Sequence, residues 1–210
     1  MRACCIALLA SGAILIAAAP SLAAPGETPP RPVQTETIRV PGAPGDSAAG
    51  EPEAELPPVS ADEEALPEPV RRMRRQILEA ARSGDIAQLK IVIQSNELPP
   101  SLPTAEGIRD PIEALKAVSG DPEGREILAI MIDVLETGYA HVGIGTPQEM
   151  YVWPYFAHLP FDALTPAQEV DLYRIITPGD REGMEIYGQY TFFRLGIGPD
   201  GVWHYFLTSE

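Results

Sequence analysis

Apolar side chains at Val70, Met73, Ile77 and Ala81 recur every three or four residues, which places them on one face of a helix starting near Pro69. Arg71, Arg72, Arg74 and Arg75 are then expected on its other side, with Glu68 positioned to pair with the first two. Gly84 suits a C-terminal cap and Asp85 an N-cap, so a second helix is expected over Ile86 to Ser95, and the pair forms a helical hairpin. Asp110-Pro111-Ile112-Glu113 and Asp121-Pro122-Glu123 read as two further helix starts, each with a capping acid and proline at the first helical position. In the second of these helices Ile127, Leu128, Ile130, Met131, Ile132, Val134 and Leu135 cover almost the whole circumference. That pattern predicts a central buried helix, closed by Gly138.

Every aromatic residue of the chain lies between Tyr139 and Phe206. Thr146-Pro147-Gln148-Glu149, Thr165-Pro166-Ala167-Gln168-Glu169 and Thr177-Pro178-Gly179-Asp180 each resemble a capped helix start, and Pro154 should stop the first of these helices at Trp153. From Tyr190 to Ile197 and from Val202 to Leu207 the pattern turns β-rich around Gly198-Pro199-Asp200-Gly201, which predicts a hairpin with Trp203, Tyr205 and Leu207 on one face. A lone hairpin is marginal in water, so Ala140 to Ile144 should add a third strand or helices should cover one side. The expected fold class is α+β and mainly helical, with N-terminal helical hairpins, then short helices, then a C-terminal antiparallel β-hairpin.

Ahead of these elements the pattern is of another kind. Met1 and Arg2 precede an unbroken apolar and small-residue run to Ala19, and Pro20-Ser21-Leu22-Ala23 ends in a small-x-small cleavage pattern, so residues 1–23 read as an export signal cut after Ala23. Residues 24–66 are rich in proline and carboxylates and hold no aromatic residue, a composition expected to stay disordered and to act as a linker. Residues 67–210 are expected to form a single folded domain with a helical part, 67–138, and an aromatic-rich part, 139–210.

The chain carries 30 acidic against 15 basic side chains, a net charge of −15. Nucleic acid is therefore not an expected partner. Both cysteines, Cys4 and Cys5, fall inside the export signal. A protein cut after Ala23 has no thiol for catalysis, zinc binding or redox switching. Once the signal is removed no stable membrane span is expected, and the predicted location is the periplasm or the exterior.

Two resemblances are present. Gly145-Thr146-Pro147-Gln148-Glu149-Met150-Tyr151-Val152-Trp153-Pro154-Tyr155-Phe156, Asp171-Leu172-Tyr173-Arg174 and the run Gly196 to Trp203 resemble a group of uncharacterised exported proteins of alphaproteobacteria. This implies export and transfers no activity. Residues 77–95, with Ala80-Ala81-Arg82-Ser83-Gly84-Asp85, resemble the helix pair of an ankyrin repeat, although the opening Thr-Pro-Leu-His turn of that family is absent.

Catalytic patterns are few. His141, His158 and His204 have no metal-binding spacing, and no nucleophile elbow, phosphate loop or S-x-x-K run occurs, so neither a metal nor a cofactor is expected. Gly196-Ile197-Gly198-Pro199-Asp200-Gly201 matches G-x-G-x-x-G but leads into a strand, where a dinucleotide fingerprint must open a helix. Glu149, Asp162 and Glu169 offer a carboxylate pair for a cell-wall glycan hydrolase, with helix capping as the competing reading. Tyr151, Trp153, Tyr155 and His204 are the binding candidates, with a place in the core as the alternative for the rings. The expected function is a non-enzymatic binding or envelope-associated module on a flexible acidic tether, with an envelope protein or a cell-wall glycan as partner.

Overall fold

The apolar spacing at Val70, Met73 and Ile77 is realised as helix α1, Glu68–Arg82, in the computed structural model, which describes residues 56–104 and 107–209. The export signal and the linker as far as residue 55 lie outside the described residues. All described residues belong to one unit, Ala49–Glu210. Gly84 reverses the chain after α1, and Asp85 accepts a hydrogen bond from Ala87 N–H at 3.0 Å, starting a 3-10 turn that runs into α2, Leu89–Ser95. Helix α3, Pro111–Ala117, has Asp110 as its N-cap, bonded to the N–H groups of Ile112 and Glu113.

Helix α4, Arg125–Leu135, starts later than the Asp121-Pro122 pattern suggested, with Gly124 as the N-cap residue. Asp121 still does the work of a cap from outside the helix, because its carboxylate accepts from Arg125 N–H at 3.0 Å and Glu126 N–H at 2.8 Å. These backbone donors hold its pKa well below the ordinary carboxylate value. Nor is α4 buried all round: Ile127, Leu128, Met131, Val134 and Leu135 are buried, Ile130 and Ile132 are half-buried, and Arg125, Ala129, Asp133 and Glu136 form an exposed strip.

Five antiparallel strands follow in the order β1-β2-β3-β4-β5: Val59–Ser60, Tyr139–Val142, Met150–Trp153, Arg194–Ile197 and Trp203–Leu207. Two of them correct the expectations. β1 falls in the segment read as linker, where Val59 pairs with Ala140 and Ser60 with Tyr139, and Leu66 just beyond is buried, so order begins before residue 67. β3 replaces the helix expected over Pro147 to Trp153. Thr146 makes its bonds inside the β2–β3 loop, to Gly143 O and Gln148 N–H, and Met-Tyr-Val-Trp pairs in register with β2 and β4. The finer layout is therefore a five-stranded sheet rather than a hairpin with one added strand.

Register settles which residues face the core. Tyr151 pairs with Ile197 and Ile197 with Trp203, while Trp153 pairs with Leu195 and Leu195 with Phe206. Gly196 pairs with Tyr205, so His204 is an extra residue in β5 and forms a bulge. The bulge moves Trp203 onto the face of Phe206 and away from that of Tyr205 and Leu207, contrary to the strict alternation expected from the sequence. Trp153, Leu195, Ile197, Trp203 and Phe206 pack with α1, α2 and α4 in the main core. Burial of each such side chain contributes about 1.5–3 kcal/mol.

The opposite face, at Ala140 and Val142, is covered by Tyr155, Phe156, Phe161, Leu172, Ile176, Met184 and Tyr190. These come from two 3-10 turns, Tyr155–His158 and Phe161–Ala163, from α5, Pro166–Tyr173, and α6, Pro178–Tyr187, and from the chain between and beyond these helices. Both helices begin with the expected threonine and a full capping box. The protein is thus α+β, a sheet between two helical layers. Its outer strand β5 is shielded, since the Asn96 side chain bonds both backbone groups of Trp203 and Ser101 bridges to Tyr205. Among the described residues, no helix is long and apolar enough to cross a membrane.

Candidate functional site

Arg71, Arg75, Leu78 and Arg82 follow one another along α1 at intervals of four, three and four residues, which lines them up on one side of the helix. Together with Arg74, Arg174 and the carboxylates Glu63, Glu64 and Glu136 they enclose a groove of about 540 Å³. The groove is floored by Arg74, which the sequence placed on the solvent side and which is in fact only 6% exposed. Its Nε and Nη2 donate to Leu135 O, at 3.1 and 2.7 Å, and its Nη1 pairs with Glu63 at 2.7 Å. One guanidinium therefore caps the C-terminus of α4 and fastens the segment that leads into α1. Tyr139 OH, donating to Asp62 O at 3.2 Å, holds the same segment from the sheet side.

The other groove arginines differ in what they hold. Arg82 pairs with Glu136 at 2.7 Å and Arg71 with Glu64 at 3.3 Å. Arg75 reaches Glu79 only at 3.9 Å and Arg174 reaches Asp171 only at 3.7 Å, both beyond hydrogen-bond range. Their side chains are 60% and 50% exposed. Among the described residues, these two guanidinium groups bring undirected donors into a concave, positively lined surface, on a chain that is otherwise strongly acidic. Such a surface can hold an anion, and it contains no nucleophile paired with a base.

The binding candidates from the sequence do not assemble. Trp153 and Tyr151 are buried in the main core, where Tyr139 packs against both rings. A ring that is 1% exposed, as Trp153 is, has no face to offer a sugar. Tyr155 is buried in the second layer and lines a small cleft of about 210 Å³ with Val59, Ser60 and Gly138. Its hydroxyl donates to Asp171 at 3.2 Å, and burial together with that carboxylate pushes the phenol pKa up. His204 alone is exposed, at the β5 bulge beside the β4–β5 turn. The G-x-G-x-x-G run is the end of β4, Gly196 and Ile197, followed by the hairpin turn, which is closed by Gly201 N–H to Gly198 O at 2.8 Å.

The carboxylates are also dispersed. Glu149 contacts His141 Nε2 at 2.9 Å and accepts from Gly145 N–H at 3.0 Å, and these two bonds, the backbone one first, lower its pKa. His141 in turn stacks on Tyr151, with centroids 4.2 Å apart. Glu169 lies 3.6 Å from Arg181 in the second layer, and Asp162 lines a depression of about 360 Å³ with that arginine, Glu185 and Phe161. Among the described residues, no group of three or more His, Cys, Asp or Glu side chains could hold a metal ion.

The sequence carried part of the groove. Of the four arginines expected on the outer side of α1, Arg71, Arg74 and Arg75 line the groove and Arg72 does not; Leu78 and Arg82 were not singled out, though they continue the helical spacing, and nothing local marks Arg174, a hundred residues later, as a neighbour of α1. The chain matches no protein-family model, no curated protein and no solved structure.

Proposed function

We propose that the protein is exported, periplasmic or secreted, and that its folded unit is a non-enzymatic binding module on an acidic tether, facing an envelope partner through the arginine groove. One observation carries this: Arg75 and Arg174 flank a concave surface with their donors undirected by the protein, while Glu149, the leading catalytic candidate, is engaged by His141 and Gly145. An arginine held only by a long, exposed ion pair, as Arg75 and Arg174 are, is better suited to recognition than to fold stability, because such pairs contribute little. Export is supported by the apolar run to Ala19 and the Ala23 cleavage pattern, and the tether by the proline and carboxylate content of residues 24–55.

The test uses the full chain expressed with its own leader. Fractionation should return the protein outside the cytoplasm with Ala24 at its N-terminus by mass spectrometry. The purified protein should bind isolated envelope material, and doubling the substitution as Arg75→Gln with Arg174→Gln should remove most of that binding. Turnover of peptidoglycan fragments that is abolished by Glu149→Gln would instead establish the hydrolase and sink the binding reading.

A further inference from the structure

We propose that the groove recognises an extended acidic peptide segment, with carboxylates at alternate positions, in a partner protein of the envelope. This rests on the reading of the groove as the binding surface and adds the ligand class. The groove already shows the chemistry it accepts. Its own filled positions are all occupied by peptide carboxylates: Glu63 on Arg74, Glu64 on Arg71 and Glu136 on Arg82. Glu63 and Glu64 lie in the 3-10 turn Glu63–Ala65 between strand β1 and α1, so this fold already lays two peptide carboxylates against arginines of the groove.

The spacing fits the same class. At about 1.5 Å of rise per residue, Arg71 and Arg75 stand about 6 Å apart along α1 and Arg75 and Arg82 about 10 Å. An extended peptide presents same-side residues about 6.6 Å apart, so carboxylates at alternate positions match the Arg71–Arg75 step, while the wider step to Arg82 lies outside that match. Arg174, which follows α5, also lines the groove and adds a guanidinium from outside α1. A compact phosphate would use one or two of these donors, whereas a row of arginines along a helix is complementary to charge spread along a chain.

Glu64 is 88% exposed and meets Arg71 at 3.3 Å, a contact water competes with readily, so an incoming carboxylate can take Arg71 without a large loss. The surrounding acidic surface works against long-range attraction, which makes short-range geometry the basis of selection.

The experiment measures fluorescence polarisation with the full mature chain and three labelled peptides of equal length. One has three glutamates at alternate positions, one has the same glutamates adjacent, and one has glutamines in their place. The alternate peptide should bind best, weaken as salt is raised, and lose at least about tenfold in affinity with Arg75→Gln plus Arg174→Gln. Arg72→Gln should leave it unchanged, because Arg72 pairs with Glu68 and does not line the groove. Equal binding of the glutamine peptide, an equal effect of Arg72→Gln, or binding of pyrophosphate, read by calorimetry, with no peptide binding would overturn the proposal. If the peptides fail while isolated sacculi still bind through the same arginines, the peptide class falls and the binding module stands. If neither binds, both fall. Sedimentation at rising concentration covers the remaining occupant: association abolished by Arg75→Gln would mean that a second copy of the chain fills the groove, and the partner protein would be ruled out.

Discussion

The two helical layers each bury one arginine, and they do so in opposite ways. Beneath the first layer Arg74 has all three nitrogens engaged, by Leu135 O and Glu63, and the apolar residues around it belong to the main core. In the second layer Arg181 lies 4.3 Å over the Phe161 ring and holds Glu185 at 2.8 Å, but its buried Nε has no partner among the described residues. Both layers leave apolar side chains exposed, Ile91 and Leu98 in and after α2 and Ile186 and Tyr187 at the end of α6, so the contrast lies in the two arginines. A fully satisfied buried charge fixes geometry, while a partly satisfied one marks a looser packing solution. The difference predicts that the sheet and the first layer behave as the more rigid body, and the groove is built on that side: every groove residue except Arg174 comes from α1 or from the segments Arg74 fastens.

The hardest blow to the rigid side should be Trp203→Ala. Trp203 is fully buried, donates from its indole to Tyr205 O at 2.9 Å, and has its backbone held on both groups by Asn96. Loss of about 3–5 kcal/mol is expected, read as a large fall in the urea midpoint with the slope unchanged. A variant that unfolded only partially, leaving α1 and α4 protected from hydrogen exchange, would break the claim that sheet and first layer are one unit.

Next in size is Arg74→Met, which keeps the volume and removes the donors. Leu135 O is left without its partner and Glu63 without its anchor, for a cost of about 1–3 kcal/mol. The sharper signal is local: protease should now cut within 56–66, while the wild-type chain is cut ahead of that segment. Equal cleavage of both proteins would mean that β1 alone, with its two ladder pairs, holds the segment.

Arg181→Met tests the other member of the pair. Its Nε is unsatisfied and its carboxylate partners Glu169 and Glu185 are largely exposed, so a methionine over Phe161 should cost less than about 1 kcal/mol and can be neutral. A loss as large as that of Arg74→Met would make the two arginines equivalent and remove the contrast between the layers.

What the sequence disclosed follows the same division. Caps and 3.6-residue spacing are local, and they located α1, α2, α3, α5 and α6 closely. Strand β3 was misread because Thr146-Pro147-Gln148-Glu149 has the letters of a capping box, yet in space Thr146 serves a loop and Glu149 turns to His141. Strand β1 spans two residues, fewer than any periodicity needs, and lies among prolines. The bulge at His204 depends on pairing with Gly196 and Ile197, which no single strand reveals. The candidate site divides likewise: Arg71, Arg74 and Arg75 were legible on one helix, whereas Glu63, Glu136 and Arg174 join them only through the tertiary fold.

The smallest effect expected is a pH dependence confined to the second layer. His158 ends the 3-10 turn Tyr155–His158, its Nε2 is buried without a partner among the described residues, and burial first, then the charge of Arg194, lowers its pKa from the ordinary 6.5. The folded state therefore prefers the neutral imidazole, and the unfolded chain binds the proton more readily. The stability that follows from this is fully present above 6.5 and declines as the pH falls from there through the lower folded-state value. Between about pH 7.5 and about pH 5.5, where histidine is the side chain that ordinarily titrates, the wild type should lose more of its urea midpoint than His158→Gln, which has no charge to gain. Carboxylate titration is common to both proteins and cancels in the comparison. Hydrogen exchange should show the loss in α5 and α6 before it reaches α1 and α4. An equal slope in the two proteins, or opening that starts in the first layer, would show that the layers respond to protonation as one body and that His158 does not report on a looser half.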